Sequence, residues 1–307
     1  MVQTRDNALS VREVPGKGLG VYAISDLSKG TRILAQKPTI ALKAHQPLVD
    51  AWRIFQTLSP TKQRQFKTLH GAANHRKMND LLRSCDEHGI RDRDEAAHVM
   101  DIYNTNAFET DRKGNAASAV FQKTARINHS CIPNAEATYN KRLGRQVVHA
   151  TRDVKAGDEI TVSYTRPIER TAVRQWHLED HYGFSCDCPA CDDDEEFATE
   201  SAERREHMVN LNEMLEAYND DADCAVIKTA EEAVETTEQL IGLMGEEGLF
   251  GKDVGRLHWD IGSHYEALER WKDARKHYDL ALEVYTLCCG ADHPLVEKLD
   301  LKLAKLP

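Results

Sequence analysis

Three cysteines crowd into the segment FSCDCPAC as Cys186, Cys188 and Cys191, and this spacing is the strongest chemical constraint in the sequence. Three thiolates on one tight turn can occupy three corners of a tetrahedron around Zn²⁺, with Zn–S distances of about 2.3 Å. The alternative is a group of free or redox-active thiols, which at this spacing would be prone to oxidation without a metal. The spacing therefore predicts a zinc site that also acts as a folding element.

A closed structural zinc site needs a fourth ligand, and Cys131 in the polar segment NHSC is the candidate. We interpret the remaining cysteines, which lie in helix-like sequence, as small buried apolar residues: Cys85, Cys224, Cys288 and Cys289. The N-terminus lacks the basic and apolar regions of a signal peptide. We therefore expect a reducing compartment, in which these cysteines form no disulfides.

The 307 residues can form one large domain and a smaller one. A formal net charge of -10 argues against direct binding to nucleic acid, which requires a basic surface, and favours a basic partner such as a lysine-rich tail. No apolar run approaches the roughly 18 residues that cross a membrane. We expect a monomer that binds neither nucleic acid nor membranes.

The hydrophobic periodicity changes several times along the chain. Residues 10–42 predict two or three short strands, and residues 45–105 predict helices that are interrupted at Ser59-Pro60. Strand-like sequence returns over residues 106–165, with a hairpin around Leu143-Gly144. A helix is expected from about Pro167 to His181, before the cysteines.

The run of five acidic residues at 192–196 is typical of a solvated linker or a helix start, and everything after it is helical in pattern. The stretch GSHYEALERWKDARKHYDLALEVY has small and aromatic residues at helical spacing, with a break near Trp271. Paired helices of this kind resemble tetratricopeptide repeats, although the full repeat signature is missing. A plain helical bundle fits this pattern equally well.

Four segments occur in a characteristic order: GKGLGVYA, RINHSCIPNAE, GDEITVSY and YGFSCDCPAC. Together they resemble a SET domain with its cysteine-rich post-SET segment. The helical insert and the helical C-terminal region are most similar to the SET-and-MYND family. That family carries a zinc-binding MYND module inside its SET domain, whereas the insert of this chain has one cysteine, Cys85. The chain therefore looks like a relative without MYND, similar to fungal-type SET proteins.

The resemblance implies an α+β fold in which a SET domain of short sheets spans residues 8–166 and contains the helical insert. A zinc-binding post-SET segment is expected at 167–192, and a helical, TPR-like C-terminal domain at 193–307. It further implies a protein-lysine N-methyltransferase that uses S-adenosylmethionine and is cytoplasmic, nuclear or both. The expected substrate is a protein or peptide that presents lysine, from a histone tail or another basic protein.

The resemblance also assigns roles to individual residues. Tyr164 corresponds to the catalytic tyrosine, whose hydroxyl accepts from the methyl group and orients the amine, and Phe108 lines the lysine channel. Residues expected to contact S-adenosylmethionine are Lys17, Gly18, Leu19, Asn106, Asn128, His129, Tyr164 and Phe184. The implied zinc ligands are Cys131, Cys186, Cys188 and Cys191.

Two other functions fit the sequence. One is a catalytically inactive, zinc-containing interaction module that keeps the SET scaffold. The retention of Asn128, His129 and Tyr164 favours the enzyme over this alternative. The other is a protein whose helical C-terminal half binds peptides in a repeat groove. We expect that half to help recognise the substrate and to form one wall of the lysine channel.

Overall fold

The computed structural model describes residues 4, 6–14, 16–111, 117–192, 194 and 196–307. The strands are β1 (Leu9–Val14), β2 (Gly18–Ala23), β3 (Arg32–Gln36), β4 (Ile40–Leu42), β5 (Ala107–Asp111), β6 (Ala117–Val120), β7 (Asn128–His129), β8 (Ala135–Asn140), β9 (Arg145–Ala150) and β10 (Glu159–Val162). The helices are α1 (Val49–Gln56), α2 (Pro60–Phe66), α3 (His75–Glu87), α4 (Arg93–Asn106), α5 (Thr171–Tyr182), α6 (Glu196–Asn219), α7 (Ala230–Glu246), α8 (Lys252–Ala267), α9 (Trp271–Cys289) and α10 (Pro294–Leu303). Two short 3₁₀ helices lie at Asp6–Ala8 and Thr124–Arg126.

The strands form three small sheets, with the orders β1-β2-β10-β7, β3-β9-β8 and β4-β6-β5. β1 and β2 form a hairpin whose turn contains Gly16 and Gly18 at φ of 76° and 72°, a left-handed conformation that glycine adopts without strain. β10 pairs antiparallel with β2 and parallel with β7. The segments NHSC and ITVSY therefore lie side by side, although a complete hairpin separates them in sequence.

Helices α1 to α4 form the predicted helical insert, and they pack against β4 and β6 around a core that includes Trp52, Phe55 and Phe66. The predicted interruption at Ser59-Pro60 is the start of α2. The Ser59 hydroxyl accepts from the backbone N–H of Lys62, and Pro60 occupies the first turn, where no N–H is required.

The C-terminal region is helical, as predicted, and each helix from α6 to α10 contacts the next one along the chain. α8 and α9 pack closely because glycines meet aromatic rings. A Cβ on Gly255 would lie 2.7 Å from the Tyr285 ring, and a Cβ on Gly262 would lie 2.7 Å from the Tyr278 ring. The α+β fold with short sheets and a helical C-terminal region is thus confirmed, whereas the TPR-like relationship stays a prediction.

Two details differ from the expectations. Cys224 is exposed in the loop between α6 and α7, so its interpretation as a buried helical residue is wrong. α5 begins at Thr171 rather than near Pro167, because residues 167–169 form a turn in which Glu169 N–H donates to Arg166 O. Asp193 and Glu195 of the acidic run lie outside the described residues. Among the described helices, none combines the length and apolar character needed to span a membrane.

Candidate functional site

The four predicted cysteines lie together. The sulfur atoms of Cys131, Cys186, Cys188 and Cys191 are all within 4.8 Å of one another, and all four residues are buried. The Sγ atoms of Cys131 and Cys191 are 3.5 Å apart. In a tetrahedral zinc site with bonds of about 2.3 Å, neighbouring sulfurs lie about 3.8 Å apart. The size, burial and all-sulfur chemistry of this cysteine cluster therefore fit a structural zinc ion.

Two buried arginines surround the cysteine cluster. Arg174 on α5 is fully buried, with its Nε 3.1 Å from Cys131 Sγ and its Nη2 3.5 Å from Cys191 Sγ. Arg205 on α6 is also fully buried, and its Nη2 donates to the Cys131 carbonyl oxygen at 3.0 Å. Four thiolates around Zn²⁺ carry a formal charge of about -2, and the Arg174 guanidinium beside two of the sulfurs offsets part of it.

A buried carboxylate extends this charge network into the helical region. Glu247, directly after α7, is 1% exposed and accepts from Arg205 Nη2 at 2.9 Å and from Arg204 Nε at 2.8 Å. Its Oε1 atom also accepts from the Ser201 hydroxyl. α6 and the end of α7 are thereby attached to the cysteine cluster through charged groups. None of the sequence predictions included this network.

His129 connects the cysteine cluster to the segment that carries Tyr164. The backbone N–H of Tyr164 donates to His129 Nδ1 at 2.9 Å, and His129 Nε2 lies 3.3 Å from Cys131 Sγ. Because Nδ1 accepts, the neutral ring carries its hydrogen on Nε2 and donates it to the sulfur. Burial lowers the pKa of His129 to about 4, so the ring is neutral at physiological pH.

Tyr164 is enclosed by aromatic rings. Its ring centroid lies 4.7 Å from that of Tyr182 and 6.4 Å from that of Phe184. Its hydroxyl donates to the Ile127 carbonyl oxygen at 2.6 Å. Burial raises the pKa of this hydroxyl above its ordinary value, so it stays protonated. Tyr182 was not among the predicted site residues, although it belongs to the segment YGFSCDCPAC.

Asn128 on β7 and Lys17 in the turn between β1 and β2 each contact an acidic side chain. Asn128 Nδ2 donates to Glu159 Oε1 at 2.7 Å, and a Cβ on Gly20 would lie 2.3 Å from that oxygen, so a larger residue there would displace the carboxylate. Lys17 forms an ion pair with Asp187, between two of the cysteines. Partial burial opposes the charged form of Lys17, but Asp187 outweighs it and raises the pKa of the ammonium.

The surroundings of the other predicted site residues differ from one residue to the next. A Cβ on Gly18 would meet no atom within 4 Å, and the neighbouring Leu19 is exposed. Asn106 ends α4, and its amide nitrogen donates to His70 O at 2.7 Å and to Ile102 O at 2.8 Å. Phe108 lines the same cavity as Tyr164. The structure therefore brings His129, Tyr164 and Phe184 to the cysteine cluster, with Asn128 next to His129 on β7 and Lys17 paired with Asp187.

A cavity of about 640 Å³ opens beside Tyr164, between the strands and the helical region. Residues such as Phe108 and Val162 line one side, and residues of α6 to α8 such as Leu215 and Met244 line the other. The cavity also has three ion pairs, Arg166–Glu216 at 3.2 Å, Arg256–Asp260 at 2.9 Å and Lys252–Glu136 at 3.5 Å. It combines an apolar lining with partly solvated charges.

Residues 18–165 match the protein family described as the SET domain. "Histone-lysine N-methyltransferase set5" of Schizosaccharomyces pombe is 30% identical over 178 residues, which are 58% of this chain and 48% of that protein. "Putative SET domain-containing protein L678" of Acanthamoeba polyphaga mimivirus is 26% identical over 208 residues, 61% of this chain and 78% of that protein. "N-lysine methyltransferase SMYD2" of Homo sapiens is 34% identical over 105 residues, 34% of this chain and 24% of that protein. The chain thus spans about half the length of set5.

Proposed function

We propose that the chain is an S-adenosylmethionine-dependent protein-lysine N-methyltransferase, because residues 18–165 match the SET domain and the chain is similar to proteins named as lysine methyltransferases. One observation supports this most strongly. Tyr164, held at its backbone by His129 and at its hydroxyl by the Ile127 carbonyl, lines a cavity large enough for a peptide side chain. A positioned hydroxyl at the wall of an open, partly aromatic cavity suits amine alkylation.

The reaction is a displacement in which a lysine amine would form the N–CH₃ bond while the S–CH₃ bond of bound S-adenosylmethionine breaks; the thioether S-adenosylhomocysteine would leave, and the methylated amine would release its proton to water. The amine must be neutral to attack. The apolar and aromatic side chains that line the cavity beside Tyr164, such as Phe108, Val162 and Leu215, would disfavour the ammonium form by displacing water from the charge. The Tyr164 hydroxyl donates its hydrogen to Ile127 O, which leaves oxygen lone pairs free to accept from the amine or from C–H groups.

The residues around Lys17 suit the cofactor's amino-acid end. The Lys17 ammonium already holds a carboxylate, that of Asp187, in an ion pair whose side chains are 41% and 69% exposed. Such exposed pairs contribute little stability, so a cofactor carboxylate can replace Asp187 at low cost. The Phe184 ring is half-buried beside His129 and would stack on the adenine.

The hydrogen bonds of the remaining residues indicate which of their groups would contact the cofactor. Gly18 and Leu19 would offer backbone groups, and Asn128 would offer its side chain. Both ring nitrogens of His129 are engaged, so this residue would contact the cofactor through its backbone and position Tyr164 through its ring. The amide nitrogen of Asn106 is also engaged, which leaves its side-chain oxygen to accept.

Zinc in the cysteine cluster would have a structural role. Cys186, Cys188 and Cys191 follow Tyr182 and Phe184 directly, whereas Cys131 follows His129. A metal joining these four thiolates would hold the aromatic rings against Tyr164 and the cofactor residues beside them.

The cavity favours a protein substrate that presents lysine in an extended segment, with the helical region forming one wall. A histone tail or another basic protein is the proposed substrate, for a monomer that binds neither nucleic acid nor membranes. The proposed location is cytoplasmic or nuclear. The proposed division is a SET domain at 8–166, a post-SET segment at 167–192 and a TPR-like domain at 193–307.

The test combines a binding and a transfer measurement. Calorimetry of the zinc-loaded protein would give the affinity for S-adenosylmethionine, and tritium transfer would be followed on recombinant histones and on arrayed lysine peptides. Tyr164→Phe should lower kcat by at least ~100-fold, the scale of a lost group that orients the reacting atoms, while the cofactor Kd changes less than about twofold. Tyr265→Phe on α8 is the matched control and should leave both values unchanged.

A Tyr164→Phe variant with the wild-type rate would remove Tyr164 from the catalytic role. Cofactor binding without transfer to any member of the panel would favour the inactive interaction module. The absence of cofactor binding in folded, zinc-loaded protein would contradict the proposed activity.

A further inference from the structure

We infer that the chain has a second binding site, separate from the proposed active site, that takes an acidic peptide segment with apolar side chains from a partner protein. The site is a cleft of about 570 Å³ between the β1–β2 hairpin and the segment around α2. Its residues are Leu9, Val11, Val21, Leu34, Gln36, Lys37, Pro38, Thr39, Lys62, Gln65, Gln122, Lys123 and Arg126. We call it the basic cleft. None of these residues lines the cavity beside Tyr164.

The charge of the basic cleft is opposite to that of the whole chain. Four of the lining residues are lysine or arginine and none is aspartate or glutamate. The chain, by contrast, has 50 acidic against 40 basic residues. An acidic partner is repelled by most of the protein surface and attracted at the basic cleft. The local charge therefore favours a negatively charged partner and determines where it binds.

The floor of the basic cleft is apolar. Val11 and Val21 are directly paired across β1 and β2, so their side chains lie on the same face of the sheet, as does that of Leu9. Val11 is 54% exposed, although it lies in a strand. A partner must therefore supply apolar side chains as well as carboxylates, which favours an acidic peptide over a phosphate backbone.

The walls of the basic cleft are fixed by hydrogen bonds. Gln36 Oε1 accepts from the backbone N–H of Lys123 at 2.8 Å, and Gln122 Nε2 donates to Gln65 O at 2.7 Å. Arg126 also donates to the Thr68 hydroxyl. The cleft is therefore preformed, and binding needs little rearrangement.

A strand edge that pairs with no other described strand lies next to the floor. β1 is the first strand in its sheet order and pairs with β2 along its length. An extended peptide can align with such an edge while its alternate side chains point to the floor. Its apolar residues would face Val11 and Leu9, and its carboxylates would approach Lys37 and Lys62 at the rim.

The experiment measures fluorescence anisotropy of a labelled synthetic peptide in which glutamate alternates with leucine or valine, with the full-length protein. Lys37→Glu combined with Lys62→Glu should weaken binding by at least ~10-fold. Lys272→Glu combined with Lys276→Glu changes the net charge equally on exposed positions of α9 and should change Kd less than about twofold. Val11→Ser should weaken binding by about threefold, because part of the apolar floor is lost.

Three results would overturn the inference. The first is that the Lys37→Glu/Lys62→Glu variant and the Lys272→Glu/Lys276→Glu variant weaken peptide binding equally. The second is that a peptide with lysine in place of glutamate binds as tightly as the acidic peptide. The third is stronger, cleft-dependent binding of a DNA oligonucleotide of the same charge, which would make this a phosphate site. S-adenosylmethionine affinity should be unchanged in the cleft variants, so the outcome is independent of the proposed methyl transfer.

Discussion

The helical region meets the strand-rich part of the molecule in two contrasting ways. At the cysteine cluster, Arg205 and Glu247 are fully removed from water and directly bonded. Beside Tyr164, Arg166 and Glu216 are 43% and 58% exposed and border an open cavity. Buried ions that lose a partner are strongly destabilising, whereas exposed pairs exchange readily with other charges. One contact is therefore suited to fixing the helices in place, and the other to accepting a ligand.

Removal of a zinc ligand should have the largest effect. Cys188→Ser should abolish stoichiometric zinc binding and lower Tm by more than ~10 °C, because structural zinc contributes folding free energy directly. Cys224→Ser alters an exposed cysteine and serves as the control. Zinc content by mass spectrometry and calorimetric Tm are the measurements, and an unchanged zinc content in Cys188→Ser would contradict the ligand assignment.

Loss of the Glu247 charge should have the next largest effect. Glu247→Gln leaves the buried Arg205 guanidinium without its anion, and we expect a loss of about 3–5 kcal/mol in the free energy of unfolding. The neighbouring exposed residue gives the control, Glu246→Gln, with a change within about 0.5 kcal/mol. Urea denaturation measures both. A change below about 1 kcal/mol for Glu247→Gln would mean that the buried contact is no stronger than the open one.

Acid should weaken a third contact, where Arg32 and His149 on the strands meet the segment after α9: Arg32 forms an ion pair with Asp292, and a Cβ on Gly290 would lie 2.9 Å from His149 Nε2. His149 is 2% exposed on β9, where Arg32 Nε donates to its Nε2 at 3.1 Å, and burial lowers its pKa to about 4. The pKa of this histidine is therefore higher in the unfolded chain, at about 6.5, than in the folded protein, so on acidification the unfolded chain binds a proton before the folded protein does. Stability is therefore constant above about pH 6.5 and falls towards pH 4, by about 3 kcal/mol from this residue.

His149→Gln should make the free energy of unfolding less dependent on pH. The pH dependence that remains should come from the other buried histidines, which both proteins contain. Denaturant midpoints between pH 4 and 8 are the measurement. His88→Gln, which changes an exposed histidine, should retain the wild-type profile. An identical acid slope in His149→Gln and the wild type would show that His149 does not titrate with unfolding.

Changes at the open cavity should have the smallest effect on stability. Glu216→Gln should alter the free energy of unfolding by less than about 0.5 kcal/mol, because its ion pair is exposed. It should nevertheless change the KM for a peptide substrate severalfold with kcat retained, since Glu216 lines the cavity. Glu213→Gln on the same helix pairs with Arg170 away from the cavity and is the control. A large stability loss in Glu216→Gln would remove the contrast between the two contacts.

Most of the cysteine cluster could be predicted from the sequence, because three cysteines this close together are typical of metal ligands and NHSC provides a fourth thiol. Cys131 and Cys191 do meet. Arg174, Arg205 and Glu247 could not be predicted, because an arginine in a charged helical sequence has the same pattern whether it is buried or exposed. Only the packing of α6 against the loop after β7 reveals their burial.

Helix boundaries could be read from the sequence where a capping residue, a proline or a glycine marks the end of a helix. Ser59 and Pro60 mark the start of α2, and Gly183 at φ 74° marks the end of α5. The burial predicted for Cys224 is wrong. The prediction rested on the helical pattern on both sides of this residue, but Cys224 itself lies in the loop between α6 and α7. The engagement of both His129 nitrogens was also beyond the sequence, since it depends on the parallel pairing of β7 with β10.

The position of β10 in its sheet, between β2 and β7, has a consequence for biosynthesis. During translation β2 emerges from the ribosome early, yet its partner β10 is made much later, and Tyr22 can pair with Glu159 only then. Cys131 likewise has no thiol partner until Cys186 to Cys191 have been synthesised. The nascent chain must therefore keep an open sheet edge and a lone cysteine protected from aggregation and oxidation until its first two-thirds are complete. Zinc delivery can complete this part of the fold only after that point.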